Sequence, residues 1–407
     1  MRWCWLVLLL VVGGLFVACQ GGEGEKKATL EPYKIGLTAD VTGTSAATYG
    51  GISEGFRNHF RWLNDRGGID GHPVDVAADD NRSTPDLAIA ATKRFAESGF
   101  LLVVDAALSA TFLPSIAEAE KAGMLWLSGG VCSPETLPPS PKPTAFCAGW
   151  QGPNQIVALT QTVKDLTKDK PGTPKVALIG VDAPIARLTT DAGERTAKQL
   201  GMEVVARADV PPNTTDFTSY ADRFISAGAD WVVTATPKEI NIPTFEALQR
   251  RGWKGNYILN FAMSCGEGDL QRLKADNLMI LCLYTPLTEN LPVHKDVREA
   301  AKKYSGSVPV EEGHVYGWME GLMVEHLLRQ CGWPCTREKL LDTARRTEFT
   351  KDTFQGLQPG PTRWAPTDHG GVRYAQVVRW DSSKKKITPV TPWIRQEVEV
   401  GKLTPLP

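Results

Sequence analysis

Residues 33–37, Tyr-Lys-Ile-Gly-Leu, and residues 74–78, Val-Asp-Val-Ala-Ala, frame the segment that decides the fold. Both runs are short and rich in apolar or β-branched side chains, which predicts buried β-strands. Between them, residues 50–66 place large apolar side chains on one helical stripe: Ile52, Phe56, Phe60 and Leu63. A strand, a helix and a second strand in this order predict a parallel sheet covered by helices, and hence an α/β fold.

The same alternation continues along the chain and begins a second cycle after Trp150. The strands predicted in this cycle, each followed by an amphipathic stretch, are residues 175–180, 203–208 and 231–235. Residues 373–379 and 387–390, joined by a polar turn, predict a hairpin near the end of the chain. We therefore expect two doubly wound parallel-sheet lobes, with a small-molecule site in the cleft between them.

Composition and charge exclude several classes of protein. The 407 residues are 42% hydrophobic and 22% charged, which is typical of a globular chain of two or three domains rather than a disordered or polytopic membrane protein. Lys and Arg total 45 against 46 Asp and Glu, for a net charge of −1. Because no basic block breaks this balance, we expect no nucleic-acid partner.

The first residues predict export. A positively charged start, an apolar run at residues 5–12 and small residues before Cys19 predict that residues 1–18 are a removable signal peptide. A permanent transmembrane anchor is the alternative, but the run is shorter than the ~20 residues that cross a bilayer. The residues up to Cys19 resemble the bacterial lipobox, with Phe16 in place of the usual leucine.

The resemblance to a lipobox implies that Cys19 is lipidated and becomes the mature N-terminus. Residues 19–30 are rich in Gly, Glu and Lys, which predicts a flexible tether. We therefore expect an exported protein, held by a lipid in the bacterial periplasm or at the outer face of the cell membrane.

Six cysteines follow Cys19, and an even number in an exported chain suggests disulfides. Sequence alone leaves fifteen pairings open. Neighbouring positions favour three pairs: Cys132 with Cys147, Cys265 with Cys282, and Cys331 with Cys335. A zinc site is the alternative for the last pair, but C-x3-C lacks the second cysteine pair or the histidines that tetrahedral coordination needs.

The motifs of the common exported enzymes and nucleotide-binding proteins are missing. The sequence contains no G-x-S-x-G, no P-loop, and no G-x-G-x-x-G after the first strand. The six histidines show no metal-binding spacing, and Asp79 and Asp80 favour helix capping over acid–base chemistry. We therefore expect no cofactor, no metal and no catalytic residues. An exported α/β hydrolase or oxidoreductase with a spatially assembled site stays an alternative.

Three segments together resemble a known family. Residues 35–43 read Ile-Gly-Leu-Thr-Ala-Asp-Val-Thr-Gly, residues 49–51 read Tyr-Gly-Gly, and residues 62–71 read Trp-Leu-Asn-Asp-Arg-Gly-Gly-Ile-Asp-Gly. In this order they resemble the opening of type I periplasmic substrate-binding proteins. The nearest group is the branched-chain amino-acid binding proteins of ABC importers. Further matches, such as residues 214–217 and 374–378, extend the resemblance over nearly the whole mature chain.

The resemblance implies two lobes joined by three crossovers, which close on a solute. It assigns residues 31–148 plus 283–357 to the first lobe and residues 149–282 plus 358–407 to the second. The implied partners are a small solute, the membrane subunits of an ABC permease, and the membrane through the lipid anchor; the chain is expected to be a monomer. A ligand-sensing receptor on the same scaffold is the alternative.

The resemblance also implies binding residues in the first lobe. The turn Ser109-Ala110-Thr111 lies where the family binds a carboxylate; simple capping of the following helix is the alternative. Gly130 and Cys132 fall where the family offers a carbonyl and a threonine to an amino group. A disulfide-bonded Cys132 cannot replace that hydroxyl.

Four further positions complete the expected site. Tyr49 lies in the first loop, where it is either a ligand lid or packing. In the second lobe, Thr236 falls near an expected tyrosine, and Trp150 and Phe261 either stack on the ligand or belong to the core. The acid that would meet an α-ammonium is missing from residues 260–262, Asn-Phe-Ala. Its loss argues against an ordinary branched-chain amino acid and leaves an amino-acid-like or organic-acid ligand open.

Overall fold

The computed structural model of the chain describes residues 30–260, 265–306, 312–396 and 403–405. The expected signal peptide, Cys19, nearly all of the tether and Phe261 lie outside the described residues. Within them the chain alternates strands and helices as expected, and the α/β class is confirmed. Among the described helices, none has both the length and the apolar character to span a lipid bilayer.

The first sheet is built from the amino-terminal third of the chain. Its strands are β1 (Tyr33–Ala39), β2 (Val74–Asp80), β3 (Leu102–Ala106), β4 (Leu125–Ser128) and β5 (Ala145–Cys147). The helices between them are α1 (Ala46–Asn64), α2 (Pro85–Glu97) and α3 (Phe112–Lys121). All pairs are parallel, in the order β2-β1-β3-β4-β5, so the carboxyl ends of the strands share one edge.

The second sheet repeats this pattern. Its first elements are α4 (Gly152–Thr167), β6 (Lys175–Val181), α5 (Pro184–Gln199), β7 (Glu203–Val210), α6 (Thr218–Ser226), β8 (Trp231–Ala235), α7 (Lys238–Arg250), β9 (Asn256–Asn260), α8 (Glu267–Leu273) and β10 (Leu278–Cys282). These strands run parallel, with β6 between β7 and β8. Their carboxyl ends also share one edge, which is where ligands bind in open α/β sheets.

The remaining chain contributes elements that pack on the first sheet and strands that join the second. Its elements are α9 (Pro292–Tyr304), α10 (Glu312–Cys331), α11 (Arg337–Ala344), β11 (Glu348–Phe349), β12 (Thr362–Arg363), β13 (Tyr374–Asp381), β14 (Lys386–Pro389), β15 (Ile394–Gln396) and β16 (Leu403–Pro405). Strand β13 pairs antiparallel with β10, and the predicted hairpin β13–β14 extends the second sheet. That sheet is therefore mixed rather than wholly parallel, with the order β16-β15-β13-β10-β9-β8-β6-β7.

Helix α10 returns to the first sheet and packs along α1. A Cβ on Gly317 would collide with the backbone of Ile52, and one on Gly55 would collide with the backbone of His314. The two helices therefore approach so closely that only glycine fits at these positions. We call the first sheet with α1–α3 and α9–α11 lobe 1, and the second sheet with α4–α8 lobe 2.

Three chain segments cross between the lobes and bond to one another. The Val372 N–H donates to the carbonyl of Ala148 at 3.0 Å, and the Thr285 N–H donates to the carbonyl of Leu357 at 2.8 Å. A Cβ on Gly371 would collide with Ala148, so two of the crossing segments touch through their backbones. The three-crossover hinge is thus a small hydrogen-bonded unit; the residue boundaries expected for the lobes stay a prediction.

The six cysteines of the described residues lie in three pairs: Cys132–Cys147, Cys265–Cys282 and Cys331–Cys335. Their Cα–Cα distances are 5.3, 4.4 and 5.6 Å, which fall in the range of disulfides. This is the arrangement that neighbouring positions favour. The first pair ties the loop after β4 to β5, beside the first crossing segment.

Candidate functional site in the interlobe cleft

A cavity of about 40 Å³ lies between the lobes, where strand ends of both sheets meet the first turns of helices. Lobe 1 contributes Tyr49, Leu108, Ser109 and Val131. Lobe 2 contributes Gly152, Gln155, Val181, Ala183, Ile185, Ala186, Thr189, Ala235, Thr236 and Pro237. None of these lining residues carries a formal charge. The lobes are so close that a solute of ordinary size enters only when they separate, because such sites occupy ~300 Å³ or more.

Ser109 lies half-buried at the lobe 1 wall, in the turn between β3 and α3. Its Oγ accepts a hydrogen bond from the backbone N–H of Ile185 in lobe 2, at 3.4 Å. Pro184 opens helix α5 there, and first-turn N–H groups of a helix have no partner within it. A hydroxyl and a positive helix end thus face each other across the cleft, a combination that suits a carboxylate.

Thr111 points away from the cleft, although it is only two residues from Ser109. Its side chain is fully buried, and its hydroxyl lies 3.1 Å from both carboxylate oxygens of Asp105. Burial raises the pKa of Asp105 to about 7, against the opposing effect of its hydrogen-bond donors. Thr111 occupies the N-cap position of α3 without a capping side-chain bond. Its hydroxyl therefore links the turn to the buried Asp105 carboxylate at the end of β3.

Tyr49 and Thr236 reach the cavity from opposite lobes. Tyr49 is 3% exposed, and burial followed by the charge of Glu239 raises its pKa far above the usual value. The Thr236 hydroxyl donates to the side-chain oxygen of Asn241 at 2.7 Å. The Asn241 amide donates in turn to the backbone carbonyl of Asn260 at 3.0 Å, so a buried network fixes this wall.

Four other expected residues lie outside the cavity wall. Ala110 is exposed, and Trp150 is fully buried in the core. The Gly130 carbonyl accepts from the Tyr316 hydroxyl at 3.5 Å, and Cys132 is buried in its disulfide. Ser109, Tyr49 and Thr236 are the sequence-predicted residues that the structure brings together.

Sequence reasoning missed the contribution of two lobe 2 segments. Gln155, in the first turn of α4, donates to the Trp150 carbonyl at 3.1 Å and accepts from the Asn260 amide. The start of α5, around Ile185, forms much of the opposite wall. Asp182-Ala183-Pro184 carried the signal, because a proline just after a strand end marks a helix start at the sheet edge that binds ligands.

No group of three or more His, Cys, Asp and Glu side chains in the described ranges is arranged to hold a metal ion. The cavity instead offers neutral polar groups: the hydroxyls of Tyr49, Ser109, Thr189 and Thr236, and the amide of Gln155. These groups can exchange hydrogen bonds with a ligand but supply no charge to it.

Two α/β lobes joined by three crossings, with an uncharged cavity at the strand ends, are the architecture of the type I periplasmic binding-protein fold. The sequence profile described as "Periplasmic binding protein" matches residues 32–386, and the chain belongs to this family. The resemblance to type I periplasmic binding proteins is thereby confirmed.

Individual relatives agree with this assignment. The chain is 25% identical to Leu/Ile/Val-binding protein homolog 1 of Brucella abortus over 49% of its own length and 52% of that protein, so it spans about half the length of this relative. A Thermus thermophilus branched-chain amino acid ABC transporter protein with bound valine superposes with a TM-score of 0.74, at 17% identity, over 91% of this chain and 98% of that one. A fatty acid ABC transporter substrate-binding protein from Thermomonospora curvata superposes with a TM-score of 0.72, at 18% identity, over 91% of this chain and 96% of that one. Both structures show the same fold.

Proposed function

We propose that the protein is the extracytoplasmic, lipid-anchored solute-binding component of an ABC importer, and that its ligand is a small organic acid without an amino group. The observation that carries the proposal is the uncharged cavity between the lobes, with the Ser109 hydroxyl facing the first-turn N–H of Ile185. A transport partner that reads lobe closure requires no chemistry on the ligand.

The carboxylate of the ligand is assigned to Ser109 and the start of α5. When the lobes separate, the hydrogen bond between the Ser109 hydroxyl and the Ile185 N–H breaks, and both groups become available to a carboxylate. One structural neighbour has valine bound, and the other is described as the substrate-binding protein of a fatty acid transporter. Valine and fatty acids both contain a carboxylate. The shared chemistry supports an acid as the ligand here.

The proposal that the ligand has no amino group rests on the hydrogen-bond acceptors of the cleft. A buried ammonium needs a paired carboxylate or several free acceptors. Among the described lining residues no side chain is acidic, and residues 261–264 are Phe-Ala-Met-Ser. The Gln155 oxygen already accepts from the Asn260 amide. An ammonium would therefore lose its hydration without a counter-charge.

The test is a thermal-shift screen of the chain from Gly21 onward, using pairs of acids that differ only by the amino group. Valine is compared with isovalerate, and phenylalanine with 3-phenylpropanoate, because a ligand that binds only the folded state raises Tm. We expect the acids without an amine to raise Tm and their amino-acid partners to leave it unchanged. A larger shift with the amino acids would overturn the ligand class, and no shift with any carboxylate would overturn the whole assignment.

A further inference from the structure

Thr48 and Glu239 join the two lobes at one edge of the cleft. The backbone N–H of Thr48 donates to Glu239 Oε1 at 3.0 Å, and the Thr48 hydroxyl donates to Oε2 at 2.7 Å. The backbone N–H of Lys238 then donates to the Thr48 hydroxyl oxygen at 3.0 Å. Thr48 belongs to the first turn of α1 and Glu239 to the first turn of α7, so every one of these bonds crosses between lobes.

The position of this cluster relates it to closure. Thr48 directly precedes Tyr49, and Lys238 directly follows Pro237; both neighbours line the cavity. Thr48 is 7% exposed in this arrangement. Separation of the lobes breaks all three of these bonds.

The chemistry of the contact favours the closed arrangement. The positive ends of two helices, one from each lobe, converge on a single carboxylate. Hydrogen bonds to an ionised acceptor are stronger than neutral ones, and here the carboxylate receives two. The Thr48 N–H also lies 3.0 Å from the Ser45 carbonyl, so in the open arrangement it keeps a partner while Glu239 loses its donors from Thr48.

We propose that Thr48 and Glu239 form a clasp, and that Glu239 is a positioning residue that stabilises the closed lobes without touching the solute. Glu239 is not among the residues that line the cavity, and each of its carboxylate oxygens already accepts a hydrogen bond from Thr48. These contacts favour a role in closure over recognition of a ligand's ammonium. The clasp acts before any solute is bound; only its consequence for solute affinity rests on the proposed function.

The clasp sets solute affinity through the population of closed lobes. Because a solute enters only when the lobes separate, the open lobes are the competent state, and apparent affinity falls in proportion to their population. Loss of one charge-assisted hydrogen bond changes such an equilibrium by about tenfold. We expect Glu239→Gln and Thr48→Val each to raise the open-to-closed ratio by about that factor.

The experiment measures the distance between the lobes in the protein without solute. Spin labels at Lys93→Cys on α2 and Lys198→Cys on α5, both exposed surface positions, report the distance distribution by double electron–electron resonance. The chain from Gln20 onward is used because it lacks Cys4 and Cys19. Its six remaining cysteines are paired in disulfides and do not take up the label. Thr48→Ser retains the hydroxyl and serves as the conservative variant. Glu246→Gln, which removes a surface ion pair with Arg272 within lobe 2, serves as the matched control.

We expect wild type, Thr48→Ser and Glu246→Gln to populate a short distance, and Glu239→Gln and Thr48→Val to shift toward a longer one. Unchanged Tm values in the two clasp variants separate this result from unfolding. Identical distributions in all five proteins, whether short or long, would overturn the clasp. Because no solute is added, that outcome is distinguishable from failure of the proposed transport function.

Discussion

The Thr111 hydroxyl lies 3.1 Å from both oxygens of the Asp105 carboxylate, whereas the Ser109 hydroxyl faces the other lobe. Thr111 and Ser109, two residues of one turn, thus make contacts in different directions. One supports a buried acid beneath the cleft, and the other lines the cleft itself. We therefore expect substitution of Thr111 to change stability and substitution of Ser109 to change binding.

Ser109→Ala is expected to weaken binding of the carboxylate found by the thermal-shift screen by about tenfold or more, with a stability change below about 1 kcal/mol. Thr111→Val is expected to cost about 1–3 kcal/mol of stability, because it removes a donor from a buried carboxylate. Urea unfolding and titration calorimetry of both variants check this, with Thr111→Ser as control. A stable Thr111→Val protein that no longer binds would instead place Thr111 in the ligand site.

Asp105→Asn is expected to change how stability depends on pH. Burial raises the pKa of Asp105 to about 7, above the unfolded value of 3.8, so the folded state binds the proton more tightly. Its stabilising contribution is therefore fully present below about pH 4 and is lost as pH rises to about 7.

The stability of wild type relative to Asp105→Asn should fall over this range by up to about 4 kcal/mol, since each pKa unit corresponds to about 1.4 kcal/mol. Urea unfolding at several pH values measures the difference, and the exposed Asp342→Asn provides a baseline. A difference that is constant between pH 4 and 7 contradicts the raised pKa.

The sequence predicted the fold because its strands and helices carry strong periodic signals. Residues 33–37 and 74–78 became β1 and β2, paired in parallel, as their apolar character required. Short strands such as β5 escaped prediction because three residues are too few to show alternation. The antiparallel direction of β13 in the second sheet also has no local signature, since a strand's pattern is the same in both directions.

The site was predicted less completely, for physical reasons. The turn before a helix places both Ser109 and Thr111 among the expected binding residues, but in the structure only Ser109 lines the cavity. The observed helix α3 begins only at Phe112, and Thr111 turns into the core. Contacts between Ser109 and Ile185, or between Thr48 and Glu239, join segments far apart in sequence, and only the meeting of the two lobes creates them.

His294 is expected to weaken the fold in acid, with a sign opposite to that of Asp105. Its Nδ1 accepts from the Leu291 N–H at 3.1 Å, and its Nε2 faces the Thr285 carbonyl at 3.0 Å, which together require a neutral ring. Burial lowers the pKa of His294 to about 4. The unfolded chain, with a value near 6.5, binds the proton more tightly; the contribution is complete above about pH 6.5 and is lost as pH falls to about 4.

The stability advantage of wild type over His294→Gln should therefore shrink by roughly 2–3 kcal/mol between pH 7 and pH 4. Urea unfolding gives the difference, and the ring resonance of His294 in a proton NMR titration gives its pKa directly. An ordinary pKa near 6.5 in the folded protein would rule out this source of acid sensitivity.

Cys19→Ser is expected to release the protein from membranes. If Cys19 carries the lipid, its replacement leaves the folded body without an anchor, while the described lobes are unaffected. Expression in a bacterial host followed by separation of membranes from soluble extract measures the shift, and mass spectrometry of the mature N-terminus detects the lipid. Equal membrane association of both proteins would contradict lipidation at Cys19 and favour the alternative of a retained apolar segment.

Arg337 ties helix α11 to three other segments of lobe 1. Its guanidinium donates to the backbone carbonyls of Phe100 at 2.7 Å, Ala122 at 3.1 Å and Ala96 at 2.6 Å. Ala96 and Ala122 belong to the ends of α2 and α3, where carbonyl groups have no partner within the helix.

A lysine carries the same charge but cannot reach three carbonyls with a planar fork. Arg337→Lys is therefore expected to cost about 1–3 kcal/mol of stability, because at least two of these carbonyl groups lose a hydrogen bond from the guanidinium. Arg251→Lys, which alters an exposed ion pair with Asp222, is the matched control and should change the urea midpoint little. Since Arg337 is not among the cleft-lining residues, solute affinity should stay at the wild-type value at temperatures where both proteins are folded. Equal losses of stability in the two lysine variants would show that charge, not the fork geometry, holds these helix ends.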